Sequence, residues 1–178
     1  AFFDVRNQEG FLRTLMLRQN SHGEWMVLFQ LFREEKENQQ KLFDHLLAGF
    51  PQIKTLVFAI NPKSNDSIYD LDIQTYYGDG FLMEEMDGLQ FKIGPKSFFQ
   101  TNYRQALELY RKTLEFAGLQ GNEVVYDLYT GTGTIAQYVA RKAKTVIGIE
   151  SVPEAIDAAK AHAKLNGLNN CTFYCGDM

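Results

Sequence analysis

The stretch VVYDLYTGTGTIAQYVA, residues 124–140, decides the fold class of this chain. An apolar run ends with an acid, a loop carries two glycines separated by one residue, and a helical pattern follows at once. Gly131 and Gly133 fit the spacing G-x-G-x-x-G/A, in which a strand turns tightly into a helix beside a nucleotide. The pattern therefore predicts the first strand, glycine loop and first helix of a Rossmann-like sheet.

The neighbouring segments extend this pattern in both directions. A helical pattern at residues 101–118, whose start Thr101 or Asn102 can cap, precedes the first strand. After the loop the chain reads helix, strand, helix and strand. Strands that alternate with helices of this length form right-handed βαβ units around a parallel sheet. We therefore predict an α/β domain over residues 96–178. It contains three strands, fewer than open doubly wound sheets usually have, and we expect it to be incomplete.

Residues 1–95 show a different rhythm. Two strand patterns flank the turn NSHG, a helical pattern ends at Gly49, and further strand patterns follow. Asp87-Gly88 lies between two apolar stretches and predicts a hairpin, because a two-residue turn requires positive φ angles. We expect a small, mostly antiparallel α+β domain.

The composition restricts the class of protein but says little about its binding partners. The chain has 178 residues, 45% of them hydrophobic, which suffices for one core or two small ones. No apolar run approaches the roughly 18 residues of a membrane helix, and two cysteines do not make a disulfide framework. The net charge of −4 argues weakly against broad, non-specific nucleic-acid binding. We expect a soluble, cytoplasmic protein without membrane contact.

Three carboxylates indicate which ligand the glycine loop serves. Asp127, Glu150 and Asp177 close three successive strands, whose carboxyl ends meet at one edge of a parallel sheet. Asp127 would repel a pyrophosphate but can accept a hydrogen bond from an amino group. Glu150 suits ribose hydroxyls, and Asp177 suits the exocyclic amine of adenine. The set favours S-adenosylmethionine over a nicotinamide dinucleotide, as does the helix that precedes the first strand.

At family level the chain resembles the RNA uracil-5-methyltransferases. The resemblance lies in SFFQTN at 97–102, DLYTGTGTIA at 127–136 and GIESVPEAIDAAKAHAKLNGLNN at 148–170, and it extends over nearly the whole chain. It is closest to the bacterial 23S rRNA branch, since Thr101 stands where the tRNA branch usually has proline. It implies an RNA substrate, rRNA first and tRNA second, and a candidate RNA-contacting role for residues 1–95.

The resemblance also implies roles for single residues. Gln100 matches a cofactor-binding glutamine, while Tyr129 and Thr134 match residues that line the methionine and adenosine portions of S-adenosylmethionine. Glu150 matches the ribose-binding acid and Asp177 the adenine-side acid. The expected cofactor-binding residues are Gln100, Asp127, Tyr129, Gly131, Gly133, Thr134, Glu150 and Asp177.

The reaction implied by the resemblance uses a nucleophile that this chain lacks. In such enzymes a cysteine thiolate attacks uracil C6, C5 takes the methyl group, a base removes the C5 proton, and the cysteine leaves. The motif that carries this cysteine is absent, so we expect no catalytic residue here and place the nucleophile beyond Met178. We expect a fragment of a longer enzyme, inactive alone, that self-associates through its truncated sheet.

Two other interpretations remain open. An NAD(P)-binding oxidoreductase uses the same glycine spacing, and a non-catalytic RNA-binding module can keep this fold without the nucleophile. We expect Cys171 and Cys175 to share one face of a strand as small buried hydrophobes, with no metal site. His22, His45 and His162 have no partner in sequence and receive no role. The candidate RNA contacts are Arg6, Arg13, Arg18, Lys63, Lys96, Phe98, Phe99 and Arg104.

Overall fold

The structure is a computed structural model that describes residues 1–177, and it divides the chain into two compact units. The first unit comprises residues 1–82 and 94–96, and the second comprises 83–93 and the chain from Ser97 onward. The strands are β1 (Leu12–Gln19), β2 (Trp25–Leu31), β3 (Ile53–Ile60), β4 (Gln74–Tyr77), β5 (Leu82–Met86), β6 (Leu89–Ile93), β7 (Val124–Leu128), β8 (Thr145–Glu150) and β9 (Cys171–Cys175). The helices are α1 (Lys36–Gly49), α2 (Tyr103–Ala117), α3 (Thr134–Ala140) and α4 (Pro153–Leu165).

The first unit is a four-stranded sheet in the order β1-β2-β3-β4. Its outer pairs are antiparallel, as expected for a mostly antiparallel domain, whereas β2 and β3 form one parallel pair that the sequence did not indicate. The reason is α1, which returns the chain to the end of the sheet where β2 began. Phe43 on α1 is fully buried, and its ring lies 5.3 Å from Phe29 and 5.7 Å from Phe58.

The second unit contains the predicted parallel sheet, in the order β7-β8-β9. Helices α3 and α4 bury one face of this sheet, where Val146, Ile156, Ala159 and Phe173 form the centre of the core. The preceding helix α2 begins as predicted, since the Asn102 side chain accepts a hydrogen bond from the Gln105 N–H. The alternation of strands and helices in the sequence thus predicted this unit correctly.

The β5–β6 hairpin forms as predicted, but it lies in the second unit. Asp87 and Gly88 have φ angles of 54° and 82°, as a two-residue turn requires. Apolar side chains of the hairpin share a core with α2 and α3, which explains why the boundary near residue 95 needs correction. This core contains Met86, Leu89, Phe91, Ala106, Tyr110 and Tyr138.

The other face of the parallel sheet is open. Val124, Tyr126 and Leu128 alternate along β7 and are each more than half exposed. Large apolar side chains in a row at a sheet edge are unusual on a protein surface. No helix among residues 1–177 is both long and apolar enough to cross a membrane.

Close packing at Gly133 yields a first prediction. Gly133 has φ +77°, and an added Cβ would lie 2.9 Å from the Ala159 Cβ and 3.1 Å from the Phe173 ring. Gly133→Ala should lower the free energy of unfolding by about 3 kcal/mol, from left-handed strain and overpacking together. Gly118→Ala is the matched control, with φ +57° and open space, and should lose only about 1–2 kcal/mol. Urea-induced unfolding measures both, and equal losses would contradict the packing argument.

Candidate functional site

The glycine loop, residues 129–133, is fixed by backbone hydrogen bonds at the carboxyl ends of β7 and β8. The Thr130 N–H donates to the Ile149 carbonyl at 2.9 Å, and the Gly133 N–H donates to the Thr130 carbonyl at 2.9 Å. The Gly131 N–H donates to the Glu150 carboxylate at 3.1 Å. The loop is therefore already ordered by contacts within the protein.

The Asp127 side chain extends from β7 to the N-terminus of α3. One of its carboxylate oxygens accepts hydrogen bonds from the Thr130 hydroxyl at 2.7 Å and from the Ala136 N–H at 3.0 Å. Ala136 lies in the first turn of α3, where backbone N–H groups lack helical partners and favour an anion. Burial raises the pKa of Asp127 above its ordinary value, and the two hydrogen bonds oppose that shift only in part.

Glu150, the last residue of β8, binds the glycine loop. Its carboxylate accepts hydrogen bonds from the Gly131 N–H, the Ser151 hydroxyl and the Val152 N–H, at 3.1, 3.1 and 3.0 Å. Burial would raise the pKa of Glu150, but these hydrogen bonds outweigh it and hold the pKa below its ordinary value. Glu150 is therefore ionised at neutral pH, and two carboxylates already bind the N–H groups that a dinucleotide domain offers to a pyrophosphate.

A cleft of about 110 Å³ opens between the loop and the segment before α2. Five predicted cofactor residues line it: Gln100, Asp127, Tyr129, Gly131 and Thr134. The structure thus brings together residues that lie more than thirty positions apart in the sequence. The remaining lining residues are Phe98, Phe99, Tyr110, Thr130, Thr132 and Ile135.

Tyr129 lines the cleft in a strained conformation. Its φ is 62°, in the left-handed region, and its side chain is exposed. A bulky residue in that region costs about 1–3 kcal/mol, and such strain concentrates at binding and catalytic sites. The strain supports Tyr129 as a ligand-contacting residue.

Three predicted residues do not line the cleft. Gly133 is required for packing against Ala159 and Phe173, so the structure gives it a role in the core. Glu150 lies beside the cleft and reaches it through Gly131. Asp177 is exposed just beyond β9, in the chain that follows the strand next to Glu150.

Sequence reasoning missed the residues that orient the cleft. The Tyr110 hydroxyl lies 3.2 Å from the Thr134 hydroxyl, although 24 positions separate the two residues. No local pattern connects them. The contact of Thr130 could have been found from the sequence. Its hydroxyl lies three residues after Asp127, an acid at a strand end, and such a hydroxyl commonly binds and orients the acid.

Four of the six basic residues expected to contact RNA bind carbonyl or carboxylate groups within the protein through their side chains. The Arg13 side chain is 4% exposed and donates to the Asn61 and Asn65 carbonyls as well as to the Asp66 carboxylate. Lys63 pairs with Asp70, Lys96 donates to two backbone carbonyls, and Arg18 donates to the Gly94 carbonyl. These four therefore serve the first unit itself, which a charge pattern alone cannot reveal. Arg6 and Arg104 remain on the surface.

The two cysteines differ in their surroundings. Cys171 is half-buried, and burial raises the pKa of its thiol to about 11. Cys175 is exposed at the carboxyl end of β9, so the expectation that both are buried is wrong for this residue. Among residues 1–177 no group of three or more His, Cys, Asp and Glu side chains could hold a metal ion.

The second unit has the Rossmann-like fold of S-adenosylmethionine-dependent methyltransferases, which confirms the predicted fold class. A family model described as a methyltransferase domain matches residues 119–178. The first unit precedes it as a small α+β domain. S-adenosylmethionine, the expected cofactor, is the methyl donor that this fold class uses.

Two relatives and one solved structure are similar to this chain over nearly its whole length. An uncharacterized RNA methyltransferase of Porphyromonas gingivalis is 55% identical over 99% of this chain and 38% of its own length. Another, of Bacteroides thetaiotaomicron, is 51% identical over 100% of this chain and 40% of its own. The tRNA (uracil-54, C5)-methyltransferase of Pyrococcus abyssi, in complex with S-adenosyl-L-homocysteine, is 30% identical, with a TM-score of 0.80 over 98% of this chain and 42% of that one. The chain spans 38–40% of the length of the two relatives.

The contact between Thr130 and Asp127 yields a second prediction. Thr130→Val removes the hydroxyl that binds the buried carboxylate and should lower the free energy of unfolding by about 1–3 kcal/mol at neutral pH. The loss should shrink at acidic pH, because a protonated Asp127 binds the hydroxyl less strongly. Thr130→Ser keeps the hydroxyl and is the control. A loss in Thr130→Val that is independent of pH, measured by urea unfolding, would contradict this role.

Proposed function

We propose that this chain is part of an enzyme that transfers a methyl group from S-adenosylmethionine to C5 of uracil in RNA. The observation that carries the proposal is the pair of carboxylates, Asp127 and Glu150, at the N-terminus of α3 and on the glycine loop. A cleft lined by one acid, hydroxyls and aromatic rings, with a second acid beside it, suits a cationic ligand that bears an amine and a ribose diol. Similarity to an enzyme solved with S-adenosyl-L-homocysteine supports the same cofactor.

Different residues in and beside the cleft are assigned to different portions of the cofactor. Asp127 and Gln100 face the space for the amino-acid portion, and Asp127 has a second carboxylate oxygen beyond the one that binds Thr130 and Ala136. Glu150 accepts hydrogen bonds from the ribose hydroxyls, and Asp177 accepts one from the adenine amine. Tyr129 and Thr134 complete the wall. The bound cofactor supplies an electrophilic methyl group, and these residues orient it.

The nucleophile of the reaction lies outside residues 1–178 in this proposal. Cys171 is a poor candidate, because burial raises the pKa of its thiol to about 11 and leaves little thiolate at neutral pH. Cys175 lies on an edge strand, and its thiol donates a hydrogen bond to the Ser151 carbonyl at 3.6 Å. A cysteine thiolate for attack on uracil C6 is assigned to the rest of the full-length protein, as is the base.

The RNA substrate we propose is rRNA, with tRNA as the alternative outcome. The 23S rRNA assignment rests on Thr101 after Gln100 and on the wider sequence resemblance. The similar solved structure is that of a tRNA enzyme, so the experiment has to measure 5-methyluridine in both rRNA and tRNA. Within this chain the first unit, with Arg6, is the candidate RNA-contacting part. Phe98 offers a stacking ring at the cleft, and the exposed Arg104 on α2 offers a phosphate contact.

The oxidoreductase interpretation conflicts with the arrangement of charges. A dinucleotide pyrophosphate binds the N-terminus of the helix after the glycine loop, where it accepts hydrogen bonds from backbone N–H groups. Here Asp127 binds Ala136 and Glu150 binds Gly131, so an incoming diphosphate would meet two carboxylates. The non-catalytic module differs from the enzyme only in activity, and the experiment below separates these two.

The proposal is tested by mapping 5-methyluridine in rRNA and tRNA from a strain that lacks the full-length gene, by mass spectrometry. Loss of the modification at one rRNA uridine, restored by the wild-type gene, is the expected result. Loss in tRNA would keep the chemistry and change the substrate. Unchanged 5-methyluridine in both RNAs, with S-adenosylhomocysteine still bound in calorimetry, would replace the enzyme with the non-catalytic module. NADPH binding without S-adenosylhomocysteine binding would overturn the cofactor assignment.

A third prediction concerns the ribose-binding acid. In the full-length protein, Glu150→Ala should weaken S-adenosylhomocysteine binding by about 1.5–3 kcal/mol, the range for hydrogen bonds to a charged group. Asp177→Ala should cost less, since its side chain is exposed and solvent competes for it. Isothermal calorimetry measures both affinities. An affinity in Glu150→Ala equal to that of the wild type removes Glu150 from the site.

A fourth prediction concerns the open face of the parallel sheet. We expect the 178-residue chain to self-associate through β7, because Val124, Tyr126 and Leu128 are exposed on this edge strand. Tyr126→Lys should reduce the association. Phe116→Lys, which changes an exposed aromatic residue on α2, should not. Light scattering across a concentration series measures the effect, and a monomer at every concentration would contradict the expectation.

A further inference from the structure

His162 is a buried histidine that has no part in the cofactor assignments above. It lies on α4 with 2% of its surface exposed. Its Nδ1 lies 3.1 Å from the Thr132 carbonyl oxygen. Its Nε2 lies 3.0 Å from the Lys92 backbone nitrogen and 3.1 Å from the Lys92 carbonyl oxygen. The ring thus connects three elements of the second unit: the glycine loop, helix α4 and strand β6.

One neutral tautomer of the ring satisfies the Thr132 carbonyl and the Lys92 N–H together, and it is the tautomer that binds the glycine loop. A carbonyl oxygen can only accept a hydrogen bond, so Nδ1 must carry the proton that binds Thr132. In the neutral ring Nε2 is then an acceptor, and it receives the Lys92 N–H. Burial lowers the pKa of His162, the Thr132 and Lys92 carbonyl oxygens oppose the shift, and the positive charge of Lys92 lowers the pKa further. The ring is neutral at physiological pH, and both nitrogens are used.

Asn166, one helical turn further along α4, makes a parallel set of contacts that does not reach the loop. Its side-chain amide accepts a hydrogen bond from the Gln90 N–H at 2.8 Å and donates one to the Gln90 carbonyl at 2.9 Å. It also donates to the buried Gln137 side chain at 2.9 Å. His162 and Asn166 therefore both satisfy the free edge of β6, two residues apart, as a neighbouring strand would. Only His162 binds the glycine loop.

We propose that His162 is a positioning residue, which holds the Thr132 carbonyl and thereby keeps the glycine loop in the shape that binds the cofactor. The inference rests on the proposed function of the cleft. Thr132 is buried and lies between Gly131, which binds Glu150, and Gly133, which packs on α4. Loss of the histidine leaves a buried carbonyl without its partner, and the loop then moves to reach another donor.

Three substitutions at His162 separate the two contacts. His162→Asn keeps an amide donor near the position of Nδ1, which can still bind Thr132. His162→Gln extends its amide to the position of Nε2, which can bind Lys92 but not the loop. His162→Leu removes both contacts. Asn166→Leu is the comparison variant, because it releases the same strand from the same helix, together with the Gln137 side chain, and Asn166 has no hydrogen bond of its own to residues 129–133.

The test is calorimetric titration of the full-length protein and these variants with S-adenosylhomocysteine, together with amide hydrogen exchange of the free protein over residues 129–134. We expect His162→Leu and His162→Gln to weaken binding about tenfold and to speed exchange in the loop. His162→Asn should stay within about threefold of the wild type, and Asn166→Leu within about twofold, with faster exchange confined to β6.

Each alternative outcome has a distinct meaning. Equal effects of His162→Leu and Asn166→Leu on affinity and on loop exchange would reduce His162 to a docking contact for the hairpin and overturn the proposal. If His162→Leu does not fold, the comparison of His162→Asn with His162→Gln decides in the same way. If the wild-type protein binds no S-adenosylhomocysteine, the proposed function fails, and loop exchange in the ligand-free variants still tests the positioning role.

Discussion

The hydrogen bonds of Asp127 organise the second unit. A single carboxylate oxygen binds the Thr130 hydroxyl and the Ala136 N–H, and so it joins the end of β7 to the start of α3. The electrostatic consequence follows directly, because the N-terminus of a helix favours an anion and this one is already provided with a carboxylate of the protein. A site built in this way receives a neutral or cationic ligand more readily than a phosphate.

The glycine loop is supported from several sides by polar contacts, whereas the sheet beneath it rests on apolar packing. Glu150 binds the loop from β8, His162 binds it from α4, and Gly133 allows it to approach Ala159 closely. Gln137 is fully buried and donates to the Ala159 carbonyl at 3.3 Å. Buried polar groups that are satisfied in this manner specify one geometry, because any displacement leaves a donor or an acceptor unpaired.

Local chemistry in the sequence was enough to predict much of this structure. The turn at Asp87-Gly88, the cap at Asn102 and the alternation of strands and helices all depend on neighbouring residues, and all are present. Gln100 and Thr134, which the family resemblance named as cofactor-binding residues, line one cleft.

What the sequence did not reveal depends on contacts between distant segments. The parallel pairing of β2 with β3 follows from where α1 packs, and the β5–β6 hairpin joins the second unit through side chains on α2 and α3. Arg13 is buried by carbonyls about fifty residues away, and His162 binds Lys92 across seventy. None of these partners can be identified from a local pattern or from charge.

The most direct test of the central claim is amide hydrogen exchange in the full-length protein, followed over residues 127–136 with S-adenosylhomocysteine or with NADPH. The account predicts protection of this segment and of the chain around Gln100 by S-adenosylhomocysteine, and no protection by NADPH. Protection of the Gly131 and Ala136 region by NADPH, with none from S-adenosylhomocysteine, would show that the two carboxylates give way to a diphosphate and would contradict the account.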